Sequence, residues 1–210
     1  EIQKQLGLKR YEPVWAMVHK LRKAMGTRDE RYTLEGMIEF DEGYFTVESS
    51  EIEQEKGVRG RGAAGKQNVA VMAESVPLED LETGEKSKSC RYFKAKVLET
   101  HLSLEINETI KESIDNQSIV FTDKSTSYVD IADFVELHIT EKSDKETTKE
   151  TLKWVHITIS NAKRNLLGNY HKIKRKYLQL YLNEFIYKLN RRYFGDKLFE
   201  RLIIANITAV

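Results

Sequence analysis

A chain of 210 residues is about one domain long, and its 40% hydrophobic and 32% charged content with two prolines suits a folded chain with a sizeable core. One cysteine excludes a disulfide framework and a cysteine-only zinc site, and no run of about 18 apolar residues is present to span a membrane. The net charge of +1 hides an asymmetry: residues 1–28 carry 7 basic and 2 acidic side chains, residues 29–150 carry 15 and 28, and residues 151–210 carry 12 and 3. Basic ends around an acidic middle describe two surfaces able to meet a polyanion, although three unevenly decorated solvated faces give the same counts. The chain opens at Glu1, partway through a helical pattern, and so reads as a fragment or a truncated copy.

In chain order, Ile2 to Met25 reads as the end of a helical module. Ile2 and Leu6 precede the turn residue Gly7, and Pro13 stands where a first helical turn tolerates it. Val14, Met17, Val18, Leu21 and Met25 then recur at helical spacing, with Lys20, Arg22 and Lys23 on the other side. Helix, glycine turn and basic helix outline a helix-turn-helix, and equally a plain amphipathic hairpin. Residues 36–45 alternate as a strand, with Ile38 and Phe40 on one face and Glu39 and Asp41 on the other. Strands are expected at 67–74 and 90–97, joined by a long polar connection over 78–89. Leu102, Ile106, Ile110 and Ile114 mark an amphipathic helix, 118–123 a short buried strand, 135–139 a fifth strand and 141–151 a polar loop. A stripe from Ile173 to Leu189 places a helix over about 172–190, with a further helical segment at 198–204. The order is α/β, that of a ribonuclease-H-like mixed sheet flanked by helices, and other α/β arrangements fit it too.

Asp41 follows an apolar strand and Asp123 ends another. A carboxylate so placed is costly unless hydrated, paired or bound to a cation, and two on neighbouring strands could share magnesium or manganese. Strand-terminal aspartates are also common turn formers, so Asp123-Lys124-Ser125 has a second explanation. Residues 60–66 fit the G-x-x-x-x-G-K skeleton, yet Gln67 replaces the magnesium-binding hydroxyl and a strand follows, so nucleotide binding is rejected. A basic hairpin tip with Arg59, Arg61 and Lys66 touching a nucleic-acid backbone is the alternative. The five histidines show no metal-ligand spacing, and neither Cys90 nor any serine sits in a nucleophile motif.

Asp41 within IEFDEGYF, Asp123 within VFTDKSTSY, and the block WVHITISNAKRNLLGNYHKIKRKYLQLYLNEFIYKLNRRYF resemble bacterial insertion-sequence transposases of the ISXO type (the IS-fifteen-ninety-five family), whose catalytic domain is of the DDE class. The resemblance runs from about Ile2 to Ile204. It implies a partial DNA-binding helix-turn-helix over 1–28 and a ribonuclease-H-like catalytic domain over 29–210. It implies cut-and-join chemistry on double-stranded DNA with two Mg2+ (or Mn2+) ions, in a homodimer or higher synaptic assembly located in the cytoplasm with the nucleoid. Asp41 and Asp123 match the first two metal ligands, Asn161 falls in the third place, and Lys163 matches the lysine that follows it. The usual third residue is glutamate, and an asparagine carbonyl ligates without charge, so Glu42 or Glu184 is a candidate to offset the difference. The cysteine pairs of the family's upstream zinc ribbon are not in these residues. Phosphate contacts are expected from Lys20, Arg22, Lys23, Arg61, Lys66, Arg164, Lys172, Lys174 and Arg175, joined by Lys176, Arg191 and Arg192.

Three functions compete on this reading. A transposase would cleave and join DNA, a decayed transposase would bind DNA or regulate transposition without cutting, and a cellular nuclease on the same fold would degrade it.

Overall fold

A computed structural model describes residues 1–48, 65–80, 83–84, 86–99, 103–125, 128, 130–141 and 150–208. The elements are α1 (Ile2–Gln5), α2 (Glu12–Glu30), β1 (Met37–Thr46), β2 (Lys66–Glu79), β3 (Lys86–Leu98), α3 (Ser103–Ser113), β4 (Ile119–Asp123), β5 (Leu137–Glu141), α4 (Lys153–Asn169), α5 (Leu178–Asn190) and α6 (Leu198–Thr208). One five-stranded sheet has the order β3-β2-β1-β4-β5. β1, β2 and β3 form an antiparallel meander, while β4 runs parallel to β1 and β5 parallel to β4. The α/β class expected from the sequence is therefore what the chain adopts. Among the described residues no helix is long and apolar enough to cross a membrane.

The sheet has a core on each face, and strand alternation assigns them. Ile38 and Phe40 of β1 join Ala70 and Met72 of β2, Val120 of β4 and Ile106 and Ile110 of α3, all fully buried. Burying each large apolar side chain contributes about 1.5–3 kcal/mol. On the other face Phe45, Val69, Val71 and Ala73 pack under Val155, Ile159 and Ala162 of α4 and Leu178, Leu182 and Ile186 of α5. The carboxyl-terminal stripe is thus core, as its spacing indicated.

Several boundaries differ from expectation for identifiable reasons. β2 and β3 pair as far out as Glu79 with Lys86, so both ends of the expected long polar connection belong to the ladder. The fifth strand starts at Leu137, with Val135 buried just before it. The last long helix begins at Leu178, not near residue 172. The Glu48 backbone N–H bonds the Ile173 carbonyl at 2.8 Å, holding 173–174 in a bridge, and a 3-10 turn over Arg175–Tyr177 reverses the chain into α5. The hairpin tip with Arg59 and Arg61 and most of the polar loop over 141–151 lie outside the described residues.

At the amino end, α1 has four residues and Gly7 follows with φ +63°, a left-handed turn that suits glycine. α2 runs past residue 28 to Glu30 and packs on α5 and α6. The crossing is close: a Cβ on Gly26 would fall 2.1 Å from Asn183 Nδ2. Arg22, expected to face phosphate, points inward instead. Its side chain is 6% exposed, its Nε donates to Glu184 Oε2 at 2.7 Å, one terminal nitrogen donates to the Tyr170 hydroxyl at 3.0 Å, and its guanidinium lies over the Tyr181 ring. Asp29 forms a second clamp, paired with Arg191 at 2.8 Å and bonded by Tyr92 and Asn190.

Glu184 also binds Lys188 at 2.5 Å, so this carboxylate serves the α2–α5 junction. Burial would push its carboxyl up, but hydrogen bonds from Lys188 and Arg22 outweigh that and hold it below its ordinary 4.5. A depressed folded pKa gives stability that is complete above pH 4.5 and is lost as pH falls through the folded value. Glu184→Gln should cost about 1.5–3 kcal/mol at pH 7 in urea unfolding and flatten the acid limb of the stability curve below pH 4.5.

Candidate active site under helix α4

The register of β1 against β4 runs Met37 to Ile119, Ile38 to Val120 and Glu39 to Phe121. The paired residues end there, but two positions further along the same strands stand Asp41 and Asp123, close enough for the Asp123 charge to act on Asp41. Both aspartates arise from the apolar stretches that make these strands, so a hydrophobic ladder fixes the carboxylates in place. Asp41 Oδ1 accepts the Glu42 backbone N–H at 2.8 Å, and its side chain is 17% exposed. Burial pushes the Asp41 carboxyl up to about 7, the Asp123 and Glu42 charges add to the rise, and the Glu42 N–H and Lys163 oppose it.

Helix α4 covers this spot. Glu39, Asp41, Gly43 and Phe45 alternate onto the β1 face that α4 packs against. Glu39 Oε2 accepts the Trp154 N–H at 2.6 Å and the Val155 N–H at 3.2 Å. Asp41 Oδ2 stands 3.7 Å from His156 Nδ1. A Cβ on Gly43 would meet Ile159 Cγ2 at 3.0 Å, and Lys163 Nζ lies 5.7 Å from the Phe45 ring centre. Burial holds the His156 imidazole below its usual pKa, against the pull of Asp123. At 3.7 Å the contact with Asp41 is too long for a hydrogen bond. His156 Nε2 and Asp123 Oδ1 are buried with no hydrogen-bond partner among the described residues. On the opposite face Glu42 accepts hydrogen bonds from Asn68 and, at 3.4 Å, from the Tyr128 hydroxyl, whose pKa is raised by burial and by the Glu42, Asp41 and Asp123 charges.

Of the four catalytic residues expected from the sequence, Asp123 and Lys163 lie near enough for their charges to act on the Asp41 carboxyl, raising and lowering it respectively. Asn161 is not seen with them: the bond described for its Oδ1 comes from Arg164 at 2.6 Å. The residue against Asp41 is His156. Helical spacing carries the signal, because 156, 159 and 163 share a face whereas 161 is about 140° around from 156. Neither carboxylate proposed to offset Asn161 contacts it: Glu42 is held by Asn68 and Tyr128, Glu184 by Arg22 and Lys188.

Two carboxylates with an orphaned buried oxygen match the donor chemistry of a hard divalent cation. Among the described residues no three His, Cys, Asp or Glu side chains stand as a ready-made metal cage. Among the cations expected to face DNA, Lys20, Lys23, Lys66, Arg164, Lys172, Lys174 and Lys176 are exposed, while Arg175 bonds Gln67. Arg191 is buried on Asp29, and Arg192 bonds the Cys90 and Leu189 carbonyls. Cys90 is buried, which pushes its thiol up to about 12 and removes it as a nucleophile.

The fold and site define an α/β domain with two aspartates on adjacent parallel strands beneath one helix. The description "ISXO2-like transposase domain" matches residues 33–190, well over half the chain, and the chain belongs to that family. Its function is thereby related to transposition. A comparison with curated proteins finds no match.

Gly43→Val should lift α4 from β1. We expect a loss of about 1–3 kcal/mol in chemical unfolding, with a native far-ultraviolet circular dichroism spectrum.

Proposed function

We propose that the chain is a DNA transposase domain of ribonuclease-H-like fold that cleaves phosphodiester bonds at insertion-sequence ends and transfers the strand. The observation that carries this reading is the meeting of Asp41 and Asp123 under the His156–Lys163 face of α4. The strand order with its antiparallel meander and parallel β4 and β5 supports the fold assignment.

Asp41 and Asp123 would hold Mg2+ or Mn2+, with His156 rather than Asn161 in the third place. When bound, such ions activate water or a DNA 3′-hydroxyl and stabilise the leaving oxygen. The protein's part is positioning. The two strands fix the carboxylates, α4 excludes water from one side, and burial keeps His156 neutral and able to accept. Lys163 supplies a positive charge where a scissile phosphate would lie. Exposed Lys20, Lys23, Lys66, Arg164, Lys172 and Lys174 would neutralise further phosphates and make binding steeply salt-dependent. No covalent protein nucleophile is required, in keeping with the inert Cys90.

The test is a labelled insertion-sequence-end duplex incubated with Mg2+ or Mn2+. Cleavage with joining supports the reading, shifted but uncut DNA supports a DNA-binding regulator, and unspecific degradation supports a nuclease. Asp41→Asn and Asp123→Asn should each lower cleavage by about 10³-fold or more, the effect of losing several kcal/mol of metal-centred stabilisation. His156→Ala should lower it by about 10²-fold, and Asn161→Ala should leave it within about threefold. The reverse ranking of the last two would restore Asn161 as the third ligand.

A further inference from the structure

Glu39 takes no part in the proposed chemistry, yet it is fully buried, two residues before Asp41 and on the same face of β1. A carboxylate is rarely buried without partners, and every partner of this one bears on the helix above it. Oε2 accepts the Trp154 and Val155 backbone N–H groups, at 2.6 and 3.2 Å, in the first turn of α4. Oε1 accepts Lys88 Nζ at 3.0 Å, and the same ammonium donates to the Thr151 carbonyl at 2.8 Å.

α4 has no cap of its own. Leu152 stands at the N-cap position without a side-chain bond, and the first turn carries no acidic residue. The first N–H groups of a helix need acceptors, and an aspartate or serine at the cap commonly serves. Here the acceptor comes from a strand instead. A local cap would steady the helix wherever it lay, whereas one from β1 also fixes the helix along its axis relative to β1. Hydrogen bonds hold that position to a fraction of an ångström, which apolar packing through Ile159 and Val155 alone does not.

We propose that Glu39 is a positioning residue: by binding the amino end of α4 it sets the register of the helix on β1, and so the distance of His156 and Lys163 from Asp41. This rests on the cleavage reading above for its functional consequence, but the structural link can be measured without it. Lys88 belongs to the same device, tying β3 and the segment before α4 to the Glu39 carboxylate.

Three variants test this: Glu39→Leu, Glu39→Gln, and Glu39→Gln combined with Lys88→Met, which keeps an acceptor for the helix and removes the charge pair. In hydrogen exchange followed by mass spectrometry or NMR, Glu39→Leu should lose about 10- to 100-fold protection at Trp154 and Val155, while α3 and the β1–β2 ladder keep theirs. Cleavage turnover should fall by about 10- to 100-fold with KM for DNA unchanged, since a small misplacement of reacting groups acts on turnover. The double variant should recover both to within about threefold. If Glu39→Leu does not fold, Glu39→Gln alone carries the comparison, with an intermediate loss expected. Unchanged exchange at Trp154 and Val155 in a folded Glu39 variant overturns the proposal, as does a double variant no better than Glu39→Leu, which would make the charge itself the requirement. Should the wild-type chain fail to cleave DNA, the cleavage reading falls, while the exchange data still decide the positioning role.

Discussion

The site depends on the seating of one helix on one strand. β1 presents a residue toward α4 every second position, about 6.6 Å apart, while α4 returns a residue to the same line every three or four positions, about 4.5–6 Å apart. The two repeats stay nearly in step for only a few residues, from Glu39 to Phe45 on the strand and from Trp154 to Lys163 on the helix. Each rung has its own chemistry: a carboxylate on helix N–H groups, a carboxylate against an imidazole, a glycine under an isoleucine, and a ring near an ammonium. The second rung is the one that sets Asp41 against His156, and the others keep it in place.

Electrostatics follow from that geometry. A lone half-exposed aspartate would stay ionised near neutral pH, but Asp41 is buried and shares its surroundings with Asp123 and Glu42, so its carboxyl reaches about 7. Among the described residues, Asp123 Oδ1 and His156 Nε2 have no hydrogen-bond partner. Both atoms lie beside the raised Asp41 carboxyl, so burial, like charge and unmet hydrogen-bonding capacity concentrate at one place on the sheet.

Much of this was legible in the sequence. The alternation of Ile38 and Phe40 against Glu39 and Asp41 placed β1 and its two faces, the short apolar run ending at Asp123 placed β4, and isoleucines four apart placed α3. These are local patterns, and local periodicity reports them. What failed depends on contacts between distant segments. Arg22 reads as a surface cation on a basic helix until Glu184, Tyr170 and Tyr181 surround it. The start of α5 is delayed because Glu48, more than a hundred residues earlier, holds the backbone at Ile173. Resemblance assigned the third place to Asn161, whereas helical spacing puts 156 and 163 on one face of α4. Glu39 looked like a polar strand position, and nothing local marks a carboxylate as a cap for another element.

The clamp made by Asp29 has a consequence for where this folding unit begins. The family match starts at residue 33, yet Asp29 holds Arg191, Tyr92 and Asn190 together, and Gly26 lies directly against the Asn183 side chain of α5. Excising the residues before 33 would leave the buried Arg191 guanidinium without a counter-ion and bare the flank of α5 around Asn183 and Tyr187. The inherited module and the physically cohesive one therefore have different edges, and α2 serves the carboxyl-terminal helices as an amino-terminal brace that they cannot shed.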